Sequence, residues 1–528
     1  MQKTQETIIN FDNYTVEQYK ADLDMHGMDV VWTELLNYCL HNTTCELLKV
    51  NNFGELYEIG LAHTNKIAKK EMGKYFTPMD VANLMSEWMA DLKGTNVCDV
   101  CCGTGNLILA YLNMIGKRKT INLLKNKRLY LYDVDPLALK ICVYSIGILY
   151  GREYIDNISA VHGDFLDKNV SLPDDCKAIS NPPYFKITKM GDNWEQTDVV
   201  KQSKEFYSSI MEKIIQQSKA SVIITPYSFI GGEKFYALRQ ELNRHNGFIV
   251  SFDNVPGSIF NGRKHGIFNT NSSNSVRAAI TVVENKRGKS GFRVSPLIRF
   301  KNAERDELLK TSTLNSYVPT TYQTINTQNK AYRKCFVSLV PLMNEWIRQS
   351  DTCLKNIVSK TDTEYNLCTP NSCRYFTVAA VRDLSRTGKN TISFDNELDR
   401  NLAYCLINSS FAYWHWRLYD GGITYPIGLL LNIPIFFNKI PDDTKEKLNS
   451  IAKEMQSVEH KYLSYKKNAG VMQENIKFPD KYREEINRIL LDCLGASSIS
   501  VDIFDIIHAN SAFNNTNDEK EILNDDET

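Results

Sequence analysis

Two consecutive prolines follow a short apolar run in this chain and restrict how the segment around them can fold. Lys177-Ala178-Ile179-Ser180 is typical of a buried strand, and Asn181-Pro182-Pro183-Tyr184 follows it directly. A proline fixes φ and has no N–H to donate, so the strand has to end in a rigid turn. That turn offers an amide oxygen, a backbone carbonyl and a flat aromatic ring, which together suit a planar ring that carries an exocyclic NH2 group.

A glycine-rich turn lies upstream, between an apolar strand and an apolar helix. Val97 to Val100 predicts the strand, and the helix follows from residue 106. Glycines permit positive φ and let a ligand approach the backbone closely, beside the free N–H groups of a new helix. The candidate ligand-binding residues of this stretch are Asp99, Cys101, Gly103, Gly105 and Asn106.

Two further predicted strands end in acidic residues. The strand Leu129 to Tyr132 leads into Asp133-Val134-Asp135-Pro136 and a helical segment through Tyr150, and a later apolar segment ends in Gly163-Asp164-Phe165. In a doubly wound sheet an acid at a strand end holds ribose hydroxyls. The candidate residues here are Asp133, Val134, Asp164 and Phe165, with the phenylalanine ring able to stack on an adenine. The order of elements predicts an α/β nucleoside-binding sheet with a second site beside it.

These motifs resemble those of the DNA adenine-N6 methyltransferases of restriction-modification systems. Asp99 to Gly105 is similar to the first motif of that family, with Val100 in the usual place of proline, and Gly73 to Pro78 is similar to its amino-terminal cofactor motif. The resemblance implies a Rossmann-like sheet that binds S-adenosyl-L-methionine and methylates adenine N6 of a flipped base in double-stranded DNA. It assigns cofactor contacts to Tyr75, Thr77 and Pro78, and catalysis to Asn181, Pro182, Pro183 and Tyr184.

The chemistry expected at the proline turn is direct transfer to an amino group. A base amino nitrogen is a poor nucleophile until acceptors draw on its N–H bonds, and Asn181 Oδ1 and the Pro182 carbonyl are the predicted acceptors. A base inside a duplex has to be flipped out, and stacking on Tyr184 would offset part of that cost. No proline in the chain is followed by cysteine, which disfavours the thiolate route of C5-cytosine enzymes.

Three alternatives stay open at this point. An extruded cytosine presents a similar amino group, so N4-cytosine methylation is the nearest of them. A methyltransferase acting on RNA or on a protein glutamine can share the tetrapeptide. The chain could also be a modification subunit that needs a separate specificity chain. A nuclease activity is not expected, because residues 1–70 carry no convincing set of paired acids and a lysine.

The length of 528 residues exceeds a single core and predicts several domains. We expect a helical N-terminal segment over 1–70, a catalytic domain over 71–290, a mixed α+β target-recognition domain over 291–450, and C-terminal helices with an acidic tail over 451–528. Within these, the sequence predicts a helix start with Thr77 as N-cap and Asp80 closing a capping box, and helices over 204–218 and 442–465. The aromatic residues at 411–416 are predicted to be core.

Charge is balanced, with 62 basic and 62 acidic residues, so any contact with DNA has to come from local patches. The candidate cations lie at 117–119, 125–128, 333–334, 374, 382 and 386. The 13 cysteines show no zinc spacing and are expected to be reduced, with no metal required. Nothing resembles a signal peptide or a membrane span, which predicts a cytoplasmic protein. The expected partner is double-stranded DNA; a separate restriction endonuclease and a monomeric or dimeric state stay open.

Overall fold

The structure is a computed structural model that describes residues 77–260, 276–327, 330–373, 375–468 and 470–513, with the backbone alone at 264–265 and 268–269. The chain divides into two compact units. Of the described residues, the first unit comprises those from 77 to 294 together with those of 302–332, and the second comprises 295–301 and those from 333 to 513. The four-part division expected from the sequence stays a prediction.

The first unit is built on an eight-stranded sheet. In chain order the strands of this unit are β1 (Asn96–Val100), β2 (Leu129–Asp133), β3 (Ser159–His162), β4 (Cys176–Ser180), β5 (Ala220–Pro226), β6 (Asn246–Phe252), β7 (Lys264–His265), β8 (Phe268–Asn269), β9 (Ala278–Val283) and β10 (Gly291–Ile298). The strand order in the sheet is β10-β6-β9-β5-β4-β1-β2-β3, and β7 pairs separately with β8. The neighbours from β3 to β5 run parallel, and β9 runs antiparallel to both β5 and β6. The α/β sheet predicted from the sequence is confirmed.

The parallel strands fix where a site can form. Every residue of β4 and β9 is buried, as is expected for strands covered on both faces. Because β1 to β5 run parallel, their carboxyl ends lie at one edge of the sheet. The strand order reverses between β1 and β4, and the crevice outside the carboxyl ends at such a switch point is where open α/β sheets bind ligands.

Nine helices of the described part of the first unit connect or flank these strands. They are α1 (Met79–Ala90), α2 (Asn106–Ile115), α3 (Lys117–Lys125), α4 (Pro136–Tyr150), α5 (Asp198–Ser203), α6 (Phe206–Gln217), α7 (Tyr236–Leu242), α8 (Arg305–Leu308) and α9 (Thr311–Ser316). One face of α1 packs into the core, because Val81, Leu84, Met85, Trp88 and Met89 are all buried.

The predicted capping box at the start of α1 is wrong. The helix begins at Met79 with Pro78 as its N-cap, and no side chain caps it. The Thr77 hydroxyl instead accepts a hydrogen bond from Asn181, and the Asp80 carboxylate pairs with Arg305. Both side chains that could have closed the box are therefore used in long-range contacts, which a local pattern does not reveal.

The helix predicted over 204–218 is confirmed as α6, which begins at Phe206 and ends at Gln217. Lys204 has a positive φ of 51° and ends the short helix α5, which the sequence did not predict. A left-handed residue cannot continue a right-handed helix, so Lys204 separates α5 from α6. The turn between them brings Phe206 to the start of α6, next to Phe185, with their ring centroids 4.5 Å apart.

The second unit combines helices with short antiparallel pairs. Its helices are α10 (Val340–Gln349), α11 (Glu397–Asn408), α12 (Ser410–Tyr419), α13 (Ile427–Leu431), α14 (Asp442–Val458), α15 (Asp480–Cys493) and α16 (Asp505–His508). Its strands are β11 (Thr352–Cys353), β12 (Tyr365–Pro370), β13 (Lys389–Phe394), β14 (Pro434–Ile435), β15 (Leu463–Asn468) and β16 (Val471–Ile476), which pair as β11-β14, β12-β13 and β15-β16.

Aromatic packing forms much of the core of the second unit. Trp346 and Trp414 stack with their centroids 5.6 Å apart, and Phe411 contacts Trp346 edge to face. Phe411, Tyr413, Trp414 and Trp416 are at most 1% exposed, so the prediction that residues 411–416 are core is confirmed. The helix predicted over 442–465 is wrong at its end, because α14 stops at Val458 and residues 463–468 form β15.

Several candidate DNA-binding cations serve the second unit internally. Lys334 is 2% exposed and donates to the Leu418 carbonyl. Arg382 pairs with the buried Glu474, and Arg386 donates to the Gly388 carbonyl and the Ser372 hydroxyl. By contrast, the cations at 117–119 and at 125, 127 and 128 are exposed. Within the described ranges no helix is long and apolar enough to cross a membrane.

Some predictions fall outside the described residues. They concern the segment 1–70, Tyr75, Arg374 and the acidic tail.

Candidate active site

The sheet register brings the glycine turn and the proline turn together. Val100, the last residue of β1, pairs with Ser180, the last residue of β4. The Ser180 hydroxyl also donates to the Val100 carbonyl at 2.6 Å. The two motifs therefore leave neighbouring strands side by side, as the sequence predicted.

The glycine turn has a left-handed backbone at alternate residues. Cys101, Gly103 and Gly105 have φ values of 60°, 53° and 96°. A Cβ added at Gly105 would lie 2.5 Å from Cys142 Sγ, so a side chain there would meet both steric and backbone strain. The Gly105 N–H donates to the Cys102 carbonyl at 2.9 Å, and α2 begins at the next residue. The free N–H groups of the first helical turn consequently face the edge of the sheet.

Asp133 closes this turn from the end of β2. Its Oδ2 accepts from the Gly103 N–H at 2.7 Å, and its Oδ1 accepts from the Asp135 N–H at 2.8 Å. The Asp133 carbonyl accepts from the Gly163 N–H at 3.0 Å, which ties in the turn after β3. Three predicted motifs thus converge on one carboxylate residue.

The Asn181 side chain is held at both ends. Its Nδ2 donates to the Thr77 hydroxyl at 3.0 Å, and its Oδ1 accepts from the Tyr184 hydroxyl at 2.7 Å. Asn106 of α2 donates to the Thr77 carbonyl at 3.2 Å. Thr77 therefore contacts both the glycine-turn helix and the proline turn. The neighbouring Pro182 carbonyl accepts no hydrogen bond from any residue that the structure describes.

The Tyr184 ring lies among other aromatic rings. It contacts Tyr207 and Phe260 edge to face, with centroids 6.1 Å away in each case. Its hydroxyl also lies 3.2 Å from the Ile224 carbonyl. The ring is half-buried and does not line the cleft described below, so its hydroxyl, not its face, meets Asn181 in this conformation.

Of the adjacent residues Asp164 and Phe165, only Phe165 lines the cleft. Phe165 is 3% exposed and lines the cleft, with its ring edge to face with Tyr132 at 5.4 Å. Asp164 does not line the cleft, because its Oδ1 accepts from the Leu166 N–H at 2.9 Å and its Oδ2 from the Trp194 indole at 2.7 Å. The cofactor contact predicted for Asp164 stays a prediction. Trp194 was not anticipated from the sequence.

Asp99 is a buried carboxyl group inside β1. It is fully buried, and neither side-chain oxygen reaches a hydrogen-bond partner among the described residues. Burial raises the pKa of this carboxyl well above its usual range, and the charge of Asp133 adds to the rise. Asp99 is therefore a buried acid inside the sheet, two residues before the cleft residue Cys101.

A cleft at the carboxyl edge of the sheet collects most of the predicted residues. The predicted residues that line it are Thr77, Cys101, Gly103, Asn106, Asp133, Val134, Phe165, Asn181 and Pro183. Pro78, Asp99, Gly105, Pro182, Asp164 and Tyr184 do not line it. Sequence reasoning missed Cys102, Leu107, Tyr132, Ala138, Gly163, Phe206 and Ile210. Five of these flank predicted motifs, whereas Phe206 and Ile210 belong to α6 and carry no motif.

Arg305 fastens the loop that carries Phe260 to helix α1. Its guanidinium donates to both carboxylate oxygens of Asp80, at 2.5 and 3.0 Å. It also donates to the carbonyls of Ser258 at 2.8 Å and Ile259 at 2.7 Å. Because Phe260 contacts Tyr184, this arginine supports the aromatic surroundings of the proline turn.

The strand order and the cleft define an α/β fold with a ligand-binding crevice at the carboxyl edge of a mostly parallel sheet. Residues 49–271 match the family described as N-6 DNA Methylase. This match confirms the resemblance to DNA adenine-N6 methyltransferases of restriction-modification type that the motifs predicted.

Individual relatives match only part of this chain. Over 264 residues the chain is 24% identical to the type I restriction enzyme MpnII methylase subunit of Mycoplasma pneumoniae, covering 46% of this chain and 45% of that protein. Over 204 residues it is 26% identical to the type II methyltransferase M.CvrRI of Paramecium bursaria Chlorella virus XZ-6E, covering 37% of this chain and 48% of that protein. The chain thus spans less than half the length of these relatives. A DrdV–DNA complex is similar with a TM-score of 0.45 and 12% identity, over 85% of this chain and 64% of that one.

Proposed function

We propose that this protein is a site-specific DNA methyltransferase that transfers a methyl group from S-adenosyl-L-methionine to adenine N6 of a flipped base. The observation that carries the proposal is the meeting of the proline turn and the glycine turn on one cleft. Asn181 lines that cleft together with Gly103, Asp133 and Phe165. An amide oxygen for a base and a nucleoside-binding edge are the two components that such a transfer needs.

The residues on the cleft fit the cofactor. Asp99 is buried in β1 and does not line the cleft, so it acts on the cofactor only through the residues that do. Asp133 is the acid at the end of β2, where ribose hydroxyls bind in sheets of this type. Val134, which is 55% exposed, and the Phe165 ring offer apolar surface for an adenine. Thr77 and the N-terminus of α2 suit a carboxylate. When bound, the cofactor supplies an electrophilic methyl group on a sulfonium.

The proline turn would activate the substrate amino group. Asn181 Oδ1 and the Pro182 carbonyl accept hydrogen bonds from the two N–H groups of adenine N6, which increases the electron density on the N6 nitrogen. The Pro182 carbonyl has no competing donor in the described part of the chain. Holding the amino group against two fixed acceptors also removes the entropic cost of orientation, which is a large part of the acceleration available without a covalent intermediate.

Tyr184 has to move for the base to enter. Its hydroxyl occupies Asn181 Oδ1 at 2.7 Å, and its ring contacts Tyr207 and Phe260 by edges. A flipped base that replaces this hydroxyl can then stack on the ring. Such stacking contributes about 1–3 kcal/mol, which offsets much of the unstacking cost of a few kcal/mol.

A second candidate is a modification subunit that acts with a separate specificity chain. The observation that favours it is that two relatives are named as methylase subunits of type I restriction enzymes. In this case the same residues perform the transfer, and sequence recognition depends on a partner. N4-cytosine methylation remains the alternative for the acceptor base.

The test is methyl transfer by the purified chain. Parent protein and the Asn181→Ala variant are incubated with radiolabelled S-adenosylmethionine and unmethylated duplex DNA, and cofactor binding is measured separately. We expect label on DNA with the parent protein, none with the variant, and equal cofactor affinity for both. Equal transfer by the variant would show that Asn181 is not the acceptor. Transfer only after a specificity chain is added would favour the second candidate.

A further inference from the structure

A β-hairpin of the second unit has a fixed base and an exposed tip. Strands β15 and β16 pair antiparallel from Leu463 with Ile476 to Asn468 with Val471, and we call this element the 463–476 hairpin. Opposed residues on one face include Tyr465 with Glu474 and Lys467 with Met472. The same face therefore runs from the base of the hairpin to its tip.

The base of the hairpin is held by buried contacts. Ile476 is fully buried in a cluster with Cys368, Val378, Ala380 and Leu384. Glu474 is 4% exposed, and its carboxylate accepts from the Ser385 N–H at 2.7 Å and from Arg382 at 3.1 Å. The Glu474 N–H also donates to the Ser385 carbonyl at 2.9 Å. Apolar burial, an ion pair and backbone bonds thus orient the hairpin before any partner arrives.

The tip exposes apolar side chains that a solvated turn does not need. Tyr465 is 60% exposed, Val471 is 49% exposed and Met472 is 52% exposed. Tyr465 and Met472 share one face, and Val471 lies on the other. Large apolar side chains clustered at one exposed tip indicate a contact surface.

The charge around this tip is positive. The segment 461–477 contains four lysines and one acid, Glu474, which is buried and already bonded. Lys461, Lys467 and Lys477 are exposed, and none forms an ion pair or a side-chain hydrogen bond with a residue that the structure describes. Unpaired lysines beside apolar side chains complement a polyanion that also offers apolar surface.

We propose that the 463–476 hairpin enters the major groove of duplex DNA and contributes to recognition of the methylated sequence. The major groove admits a two-stranded β-ribbon. At the tip, Met472 on one face and Val471 on the other suit thymine methyl groups, and Lys461, Lys467 and Lys477 suit the flanking phosphates. This inference rests on the proposed function, because it takes the substrate of the enzyme as the ligand of the hairpin.

The chain supplies a matched control for charge. Lys93 and Arg287 are also exposed, and no described residue pairs with their side chains. Lys93 precedes β1, and Arg287 follows the end of β9, which pairs with the start of β5; both therefore lie toward the amino ends of the parallel strands, whereas the cleft lies at the carboxyl ends. Replacing both residues changes the net charge by the same amount as replacing Lys467 and Lys477.

The experiment compares DNA binding and modification by three variants of the full chain. They are Lys467→Ala with Lys477→Ala, Val471→Ser with Met472→Ser, and the control Lys93→Ala with Arg287→Ala. Binding to unmethylated duplex DNA is measured from about 50 to 200 mM salt, and modified positions in genomic DNA are mapped. Thermal unfolding and cofactor binding establish that each variant is folded.

The two hairpin variants should fail in different ways. Loss of Lys467 and Lys477 should make the plot of log affinity against log salt shallower by about one unit per phosphate contact removed. The Val471 and Met472 variant should lose roughly 5- to 150-fold in affinity for the modified sequence and relax its choice of bases. The control variant should retain the parental slope and sequence.

Other outcomes would overturn the hairpin proposal, its choice of DNA as the ligand, or the proposed function. Parental binding, slope and sequence in both hairpin variants would overturn the hairpin proposal and leave the methyltransferase function intact. Loss of binding to an added specificity protein, with DNA affinity unchanged, would show that the hairpin docks a protein. A parent protein that neither binds nor methylates DNA would overturn the proposed function and the hairpin inference together.

Discussion

Thr77 Oγ1 accepts a hydrogen bond from Asn181 Nδ2 at 3.0 Å, although 104 residues separate them in the chain. Thr77 lies just before helix α1, and Asn181 follows strand β4. The contact links the amino-terminal motif, to which the sequence assigns cofactor binding, with the proposed acceptor of the substrate amino group. It also leaves Asn181 Oδ1 as the amide atom that can exchange its hydrogen bond from the Tyr184 hydroxyl for one from a substrate amino group.

The first prediction tests whether Thr77 positions this amide. Thr77→Val removes the acceptor at nearly constant shape, and Thr77→Ser keeps it. We expect Thr77→Val to lower the rate of single-turnover methyl transfer roughly tenfold, because a misaligned Asn181 amide no longer holds the substrate amino group in the geometry of the transition state. Thr77→Ser should transfer at close to the parental rate. Cofactor affinity is measured in parallel by calorimetry. If the serine and valine variants lose the same activity, the hydroxyl has no role in positioning Asn181.

The second prediction separates the ring of Tyr184 from its hydroxyl. Tyr184→Phe removes the group that occupies Asn181 Oδ1 and keeps the stacking surface, so base capture should be unchanged or stronger. Tyr184→Ala should weaken capture by about 1–3 kcal/mol, the value of a base–aromatic stack. Fluorescence of 2-aminopurine placed at the target position reports the flipped state. Equal impairment in both variants would mean that the hydroxyl, and not the ring, stabilises that state.

The third prediction concerns the buried carboxyl of Asp99. Burial raises its folded-state pKa above the unfolded value of 3.8, so the folded protein binds the proton more tightly than the unfolded chain. The free energy of unfolding therefore falls as pH rises from about 3.8 toward the raised pKa. In Asp99→Asn this dependence disappears, and the cofactor-free protein should be more stable than the parent at neutral pH.

The titration of Glu212 has to be eliminated from that measurement. Burial raises the pKa of Glu212 to about 7, so this residue titrates in the same pH range as Asp99. Urea unfolding is therefore compared between pH 5 and 8 in a Glu212→Gln background, with and without Asp99→Asn. Parallel pH profiles for the two proteins would show that Asp99 is not titrating differently in the folded state. The expected result is that the protein with Asp99 loses stability relative to Asp99→Asn as pH rises, because all other buried titratable groups are common to both proteins.

The fourth prediction concerns the link from Arg305 to helix α1 and the loop before Phe260. Arg305 is 13% exposed at its side chain and makes two bonds to Asp80 and two to backbone carbonyls. Arg305→Ala leaves these acceptors without their donor and should lower the free energy of unfolding by about 2–4 kcal/mol. The free energy of unfolding of Arg305→Lys should lie between those of Arg305→Ala and the parent, because lysine keeps the positive charge but not the several N–H donors of the guanidinium.

Arg348→Ala is the matched control for this loss. Arg348 also pairs with a carboxylate, that of Glu345, but its side chain is 72% exposed. An exposed pair contributes little because solvent and salt screen it. Unfolding in urea should therefore change little in Arg348→Ala. If both alanine variants lose the same stability, the bonds of Arg305 do not fasten the Phe260 loop.

The sequence predicted those parts of the fold that local pattern controls. The buried runs at 97–100 and 176–180 and the glycines at 103 and 105 determine strand and turn without help from distant residues. The start of α1 was mispredicted because Thr77 and Asp80 bond to Asn181 and Arg305, which are 104 and 225 residues away. No local signal distinguishes such a partner from a capping interaction.

The same limit applies to the site. Phe206 and Ile210 reach the cleft because the left-handed Lys204 ends α5 and lets α6 start there. Trp194 meets Asp164 because the chain after the proline turn packs against the loop after β3. A tryptophan between two motifs carries no spacing that indicates such a contact, whereas an asparagine before two prolines does.

The most direct test of the central claim is to map the methylated atom. The purified chain is incubated with S-adenosylmethionine and unmodified genomic DNA, and modified positions are read by single-molecule sequencing and by mass spectrometry of the nucleosides. The account predicts N6-methyladenine at one recurring sequence, and none with Asn181→Ala. Methyl groups on cytosine N4, or N6-methyladenine made equally well by the Asn181→Ala variant, would contradict it.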